Sequence, residues 1–545
     1  MQKLSKITLF LSLILLVGTC FAQTEAIKSM KVINSEAIKA TMTYLSDDLL
    51  EGRQPGTRGF ALASKYVESH FMALGLKPGI DGKSYVQKVP LRKATVAENE
   101  SSLTLINNGK EENLVYGKHF LASPNFNTES SEIEAPLVFI GFGVHAPELG
   151  HDDYQAIDVK GKIVVLLSGS PEKLNANERA YFSNNTIKFN DAIQRGAVGV
   201  ISLSVPTGRS TFDATVKRAK QGSFKWLDAN GVPKDGFSEL KGIATLNNEY
   251  ADKLFANSGK TTQDVFAEVK AGKPQAFPLN LSAKIKVKTN YKAIEGSNLI
   301  GIIEGSDPKL KNEYVVYTAH LDHLGIGTPV KGDSIYNGAH DDASGVGILL
   351  EIASVYRSLP IPPKHSIVIG VVTGEESGLL GSDYFASNSP LKEGKLVANL
   401  AIDMPFFFHP VLDIVPYGFQ HTSLSKQVEK ATSILKLKIS PDPFPEQVIF
   451  VRSDHFSFIK KGIPALFIKS GFMTVPEDKI DRSKSDVAWR TTTYHTPQDD
   501  MNQAFDFNAA AMHVKVNFLI GYLVSNETTA PTWNKGDFFG GKFGK

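Results

Sequence analysis

The chain has 545 residues, 42% hydrophobic and 10% aromatic, which is ample for more than one packed core and excludes a disordered chain. Its 59 Lys and Arg against 57 Asp and Glu leave a formal net charge of +2, so no basic field for nucleic acid is implied. Cys20 is the single cysteine, which excludes an intrachain disulfide and leaves stability to core burial and metal.

In chain order, Lys3 and Lys6, the apolar run Ile7 to Val17 and then Cys20-Phe21-Ala22 have the layout of an export signal, residues 1–22, cleaved after Ala22. That run is too short to anchor in a bilayer. The leader carries Lys3 and Lys6 and no acid, so its loss brings the charge from +2 to zero. The expected destination is the periplasm or the medium. A lipoprotein route through Cys20 is disfavoured by Thr19, where such sites prefer a small residue. No second long apolar run is expected, and so no integral membrane segment in the mature chain.

From Ser35 to Leu76, apolar residues at three- and four-residue spacings predict two helices joined by the loop Glu51-Gly52-Arg53-Gln54-Pro55-Gly56. Residues 23–100 are therefore read as an N-terminal part of the domain that closes later. Residues 101–281 change to short β-rich runs such as Ile163 to Leu167 and Gly199 to Leu203, separated by Gly, Asn and Pro, and read as an inserted domain. Residues 282–530 complete the main domain, and 531–545 form a tail.

After Asn298 the chain alternates strand-like and helix-like runs. Tyr314 to Thr318, Ile367 to Val372, Val397 to Ile402 and Ile463 to Ile468 are buried-type strands, and Gly345 to Leu359 is a helix. This alternation predicts an α/β fold with a mostly parallel sheet flanked by helices, in which ligands bind beyond the carboxyl ends of the strands. His320 and Asp322 follow the first strand, Glu375 and Glu376 the second, and Asp403 the third. Three strand ends thus deliver imidazoles and acids to one rim.

Zinc accepts imidazole nitrogen and carboxylate oxygen, and two zincs roughly 3.5–4 Å apart can share a carboxylate and activate a water. Two Zn²⁺ are neutralised by three carboxylates and one hydroxide. Asp341, Glu376 and Asp403 supply the three, His320 and His495 add neutral donors, and Glu375 is left free as the base.

The motifs Thr318-Ala319-His320-Leu321-Asp322, Gly338-Ala339-His340-Asp341-Asp342-Ala343-Ser344-Gly345, Gly374-Glu375-Glu376-Ser377-Gly378 and Tyr494-His495-Thr496-Pro497 resemble those of metallopeptidase family twenty-eight, the co-catalytic di-zinc aminopeptidases and glutamate carboxypeptidases. The resemblance covers about residues 298–500. It implies a zinc exopeptidase-like fold and two Zn²⁺ per chain. Asp341 would bridge them, His320 and Asp403 would fall mainly to one or other zinc, Glu376 and His495 would complete the set, and Glu375 would be the base. Asp322 and Asp499 fall where the family has acids that orient the ligand histidines. The stretches Gly161 to Leu166 and Ala192 to Val200 resemble the protease-associated domain that family members carry as an insert. The sequence departs from the family at Asp342, where asparagine is common, and at Pro405-Phe406-Phe407-Phe408, where a small or aliphatic run is usual.

Tyr494 is a candidate donor to the tetrahedral oxyanion, and hence a candidate catalytic residue with Glu375 and Asp322. His323 and His340 fit no ligand position and read as local hydrogen-bonding residues. Ser453-Asp454-His455-Phe456 resembles a loop that flanks the family's pocket. The expected substrate is a peptide with a free N-terminus, with no nucleic-acid partner. A carboxypeptidase of the same family is the alternative, with Arg452, Arg482 and Arg490 as candidates for its carboxylate. A non-catalytic receptor-like protein on the same scaffold is the other rival.

Overall fold

The structure, a computed structural model, describes residues 24–205, 211–272, 276–391 and 393–544. The export signal read at residues 1–22, with Cys20, lies outside them. The chain divides into two compact units. Unit 1 takes the residues up to Lys88 together with Gly296–Phe444 and Arg452–Lys545, and unit 2 takes Val89–Glu295 and Pro445–Val451. The second unit is thus wider at both ends than 101–281 and also recruits a short stretch from late in the chain.

Six strands order unit 1: β1 (Phe277–Ile303, of which Gly296 onward belongs here), β2 (Glu313–His320), β3 (Ser366–Val372), β4 (Lys395–Ala401), β5 (Asp413–Tyr417) and β6 (Ala465–Ser470). Their order in the sheet is β1, β3, β2, β4, β6, β5. The pairings β3 with β2, β2 with β4 and β4 with β6 are parallel, and the two outer pairings are antiparallel. The α/β fold is as expected. From β2 the chain goes first to one side, into β3, and then to the other, into β4. In open sheets of this kind, that reversal opens the crevice where ligands bind.

Alternation along each strand covers both faces of the sheet. Val315 and Tyr317 join one cluster with Ile367, Ile369, Leu400 and residues of the helices Ser35–Leu45, Ser344–Arg357 and Phe507–Ser525. Val316 and Val368 face the opposite way, onto Phe385 and Phe458 of the helices Leu380–Ser387 and His455–Ile459. The expectation of no second long apolar run needs correction: Phe507–Ser525 is a 19-residue helix apolar and long enough to cross a membrane by composition alone. It packs on the helices Ser35–Leu45, Ser344–Arg357 and Ser425–Leu435, and so serves as a core helix of unit 1.

Unit 2 has its own parallel stretch. Ser130–Phe139, Ile163–Leu167, Gly199–Leu203 and Gly242–Leu246 lie side by side, each parallel to the next. The helix Asn185–Gln194 connects the second and third and contributes Phe189 and Ala192 to a separate core with Val138, Val164 and Val200.

Candidate metal centre

β2 ends at His320, and the chain then turns through Asp322 and His323, all three almost fully buried. His320 Nδ1 lies 3.0 Å from the carbonyl oxygen of Asp322, which fixes the ring and aims Nε2 at Asp341 Oδ1, 3.2 Å away. The Asp322 carboxylate is 4.0 Å from that imidazole. It accepts instead from the backbone N–H of Glu375 at 3.2 Å, tying the end of β2 to the end of β3.

Asp341 sits in the turn before the helix Ser344–Arg357, preceded by Gly338 in the left-handed region at φ +60°. A Cβ on Gly338 would lie 2.2 Å from Asp341 O and 2.6 Å from His323 Cγ, so only glycine fits. Asp499 accepts the N–H of His340 at 2.9 Å, that of Asp341 at 3.0 Å and the Gln503 amide at 2.7 Å. It therefore orients the Asp341 turn, where an imidazole partner was expected. Asp342 ties the same turn to the Asp403 loop, accepting from Gly345 N at 2.9 Å and Met404 N at 3.2 Å.

Two donor groups result. His320, Asp341 and Asp403 each bring an atom within 4.8 Å of the other two, and His323, Asp341 and Glu376 do the same. They share Asp341. His495, on the turn after the helix Arg482–Thr492 at φ +57°, adds Nε2 at 3.2 Å from Asp341 Oδ2 and 3.0 Å from Glu376 Oε2. The five residues His320, Asp341, Glu376, Asp403 and His495 are thus brought together. So is His323, whose Nδ1 is 2.7 Å from Glu376 Oε1. Sequence reasoning set His323 aside, although its place two residues after Leu321 in the same strand-end turn was the available signal.

The set suits a divalent cation. His320 Nε2, Asp341 Oδ2, Asp403 Oδ1 and His495 Nε2 are buried donor atoms without a hydrogen bond of good geometry, and nitrogen with carboxylate oxygen is the donor chemistry zinc takes. The local field points the same way. Burial works against a charged His495 imidazole, yet Glu376 and Asp341 push it up to about 10. Burial opposes a charged Glu376 too, and His495 and His323 still bring it down to about 2. Both shifts report a place that attracts positive charge.

Glu375 behaves differently. Burial first, then the neighbouring carboxylates of Asp403 and Glu376, hold it well above the usual range, which makes it the stronger proton acceptor of the Glu375-Glu376 pair. Tyr494 stacks on His495 with ring centroids 3.7 Å apart. Burial and the Asp341 and Glu376 carboxylates push its hydroxyl well up, so it remains a donor. Asp454 is buried and raised to about 7, chiefly by burial.

The His340 side chain makes no hydrogen bond, unlike its backbone. Its ring lies 5.0–5.9 Å from Phe406, Phe407, Phe408 and Trp489, and neither nitrogen has a hydrogen-bond partner. Burial among these rings drives its pKa well down and keeps it neutral. The Pro405-Phe408 run builds this box. Among the three arginines, Arg482 pairs with Asp478, and Arg490 Nε donates to Asp486 at 2.8 Å, while Arg452 is exposed.

Residues 298–519 match the profile described as Peptidase family M28. A 144-residue stretch is 32% identical to Aminopeptidase NAALADL1 of Mus musculus, covering 25% of this chain and 17% of that protein. A 332-residue stretch is 27% identical to Probable leucine aminopeptidase 2 of Aspergillus fumigatus, covering 57% and 60%. The chain thus spans from under a fifth to three fifths of the length of these curated relatives. Among solved structures, the aminopeptidase from Aneurinibacillus sp. strain AM-1 shares the fold at a TM-score of 0.53, with 20% identity over 93% of this chain and 97% of that one.

Proposed function

We propose, from the membership of residues 298–519 in peptidase family M28, that the protein is an exported zinc aminopeptidase that removes N-terminal residues from peptides. The observation that carries this reading is the pair of donor groups meeting at Asp341, with Glu375 beside them and outside both. Two zincs would be held, one by His320, Asp341 and Asp403 and the other by Asp341 and Glu376 with His495 and His323 beside them. Bound zinc would polarise the scissile carbonyl and acidify a water.

The chain's own groups account for the rest. Glu375 is fixed through its N–H by Asp322, and its raised basicity suits it to take the water's proton and return it to the leaving amine. Tyr494, kept protonated, can donate to the oxyanion as it forms. With the three ligand carboxylates balanced by zinc, Glu375 and Asp454 are the acids left beside the centre to meet a substrate's α-ammonium. For a terminal carboxylate, Arg482 and Arg490 are already paired with Asp478 and Asp486, which leaves exposed Arg452, whose charge acts on Tyr494, as the group the carboxypeptidase alternative would need. The complete donor set argues against the receptor-like reading. Export follows from the leader pattern of residues 1–22, and a protease-associated role for the second unit from its two resembling stretches.

The test is zinc content and hydrolysis of an unblocked peptide before chelation, after it, and after zinc is restored. The reading expects two zincs per chain and activity that disappears and returns with them. Undiminished hydrolysis by the metal-free protein would contradict it.

A further inference from the structure

Arg53 is among the largest fully buried side chains of the described residues, 1% exposed, and it comes from the short N-terminal turn Asp48–Arg53, far in sequence from the donor residues. Nε donates to Leu321 O at 2.8 Å, Nη1 to Asn337 O at 2.6 Å and to Leu45 O, and Nη2 to Gly338 O at 3.0 Å. Its own carbonyl accepts from His323 N at 3.4 Å. Leu321 lies between His320 and Asp322, and Asn337-Gly338 lead into the Asp341 turn. One guanidinium therefore grips two of the segments that carry donors to the shared centre, those of His320 and Asp341.

A buried charge is costly unless something compensates it. Burial lowers the Arg53 pKa to about 10, so the group stays charged; its hydrogen bonds go to neutral carbonyls, and the field of Asp322, Asp499, Asp341 and Asp342 offsets part of the burial cost. Those are the bridging acid, its neighbour and the two acids that position the strand end and the turn. The backbone of the turn is also shaped for this group. Glu51, Gly52 and Arg53 all have φ between 50° and 66°, and a Cβ on Gly52 would lie 2.5 Å from Tyr336 O. A lysine offers a point charge without the planar fork needed to reach carbonyls on two segments at once.

We infer that Arg53 is the positioning residue of the metal centre: it sets the spacing between His320 and Asp341 and supplies the fixed positive charge that keeps the acid cluster assembled. This rests on the zinc reading above. Arg53 touches no donor side chain and has no part in the chemistry itself.

The experiment compares the full chain with Arg53→Lys and Arg53→Ala. Zinc per chain, zinc affinity by chelator competition, circular dichroism and peptide hydrolysis are followed for each. Wild type should hold two zincs. Arg53→Lys should stay folded and bind zinc roughly 10–100-fold more weakly, the range expected for a group that orients ligands. Arg53→Ala should lose more, and millimolar guanidinium chloride should restore part of its zinc binding where sodium chloride of equal ionic strength does not. A folded Arg53→Lys that holds zinc as tightly as wild type would overturn the inference, and so would a folded Arg53→Ala that guanidinium fails to rescue. If Arg53→Ala does not fold, Arg53→Lys decides alone. A wild type that binds no zinc would remove the zinc reading and this inference with it.

Discussion

The two units each lay four parallel strands side by side under helices, and among the described residues the groups of donors that could hold a metal ion lie in unit 1. In unit 1 the strand ends release His320, Asp322 and His323, then Glu375 and Glu376, then Asp403. In unit 2 the corresponding ends release Ser168-Gly169, Ser204 and Asn247, and the buried cation beside them is Lys188 of the helix Asn185–Gln194. Its ammonium donates to Leu167 O at 3.0 Å and to Gly169 O and lies over the Phe142 ring. A helix lysine occupied by strand-end carbonyls stabilises a crossover; strand-end carboxylates and imidazoles facing one another attract a cation. The architecture supplies a rim, and the side chains on that rim decide what it does.

The comparison breaks most visibly at Glu375. Glu375→Gln should cut kcat by roughly 10²–10⁴-fold while zinc content is unchanged, because the group removed is a base and not a ligand. Loss of zinc in parallel with activity would reassign it. Asp499→Asn is expected to act one step back. It weakens the acceptor of the His340 and Asp341 N–H groups, and zinc affinity should fall roughly 10–100-fold with peptide KM little changed. An unchanged affinity in chelator competition would mean the turn holds without it.

Unit 2 should respond in stability and not in chemistry. Burial pushes Lys188 down to about 7 from 10.5. An unfolded chain keeps this lysine protonated up to its ordinary value, so between pH 7 and about 10 the unfolded state binds more protons and stability rises with pH. Below pH 7 both states are protonated and that slope vanishes. Urea unfolding at pH 7 and 9.5 should show wild type gaining on Lys188→Met over this window, and equal slopes in the two proteins would rule the linkage out. The smallest effect expected is at Asn175, which caps the helix Ala176–Phe182 in a reciprocal pair with Glu178. Asn175→Ala should cost about 1 kcal/mol of unit 2 stability and leave peptide hydrolysis unchanged, as a melt and a rate assay would report.

These contrasts follow what a sequence can and cannot express. Buried strands announce themselves as local apolar runs, so Tyr314 to Thr318 falls inside β2 and Ile367 to Val372 inside β3, and the acids just past them were legible. The helix expected at Gly345 to Leu359 runs Ser344–Arg357, a shift confined to its ends. Contacts between distant segments leave no such periodic trace. Arg53 reaches residues more than 260 positions away, so its segment read as a loop and nothing more. His340 adjoins Asp341 in sequence and points into a box built by Phe406, Phe408 and Trp489, which no spacing rule relates to it. Asp499 was read as an acid serving a histidine because residue type was visible and its partners, two backbone N–H groups and the Gln503 amide, were not.

The most direct test of the central claim is the rate at which the purified, zinc-supplied protein releases amino acids from one unblocked peptide and from its N-acetylated twin. Release from the free-amine peptide alone, proceeding from the N-terminus inward, is the result predicted for an aminopeptidase whose acid-rich centre selects an α-ammonium. Release from both peptides, beginning at the C-terminus, would contradict it.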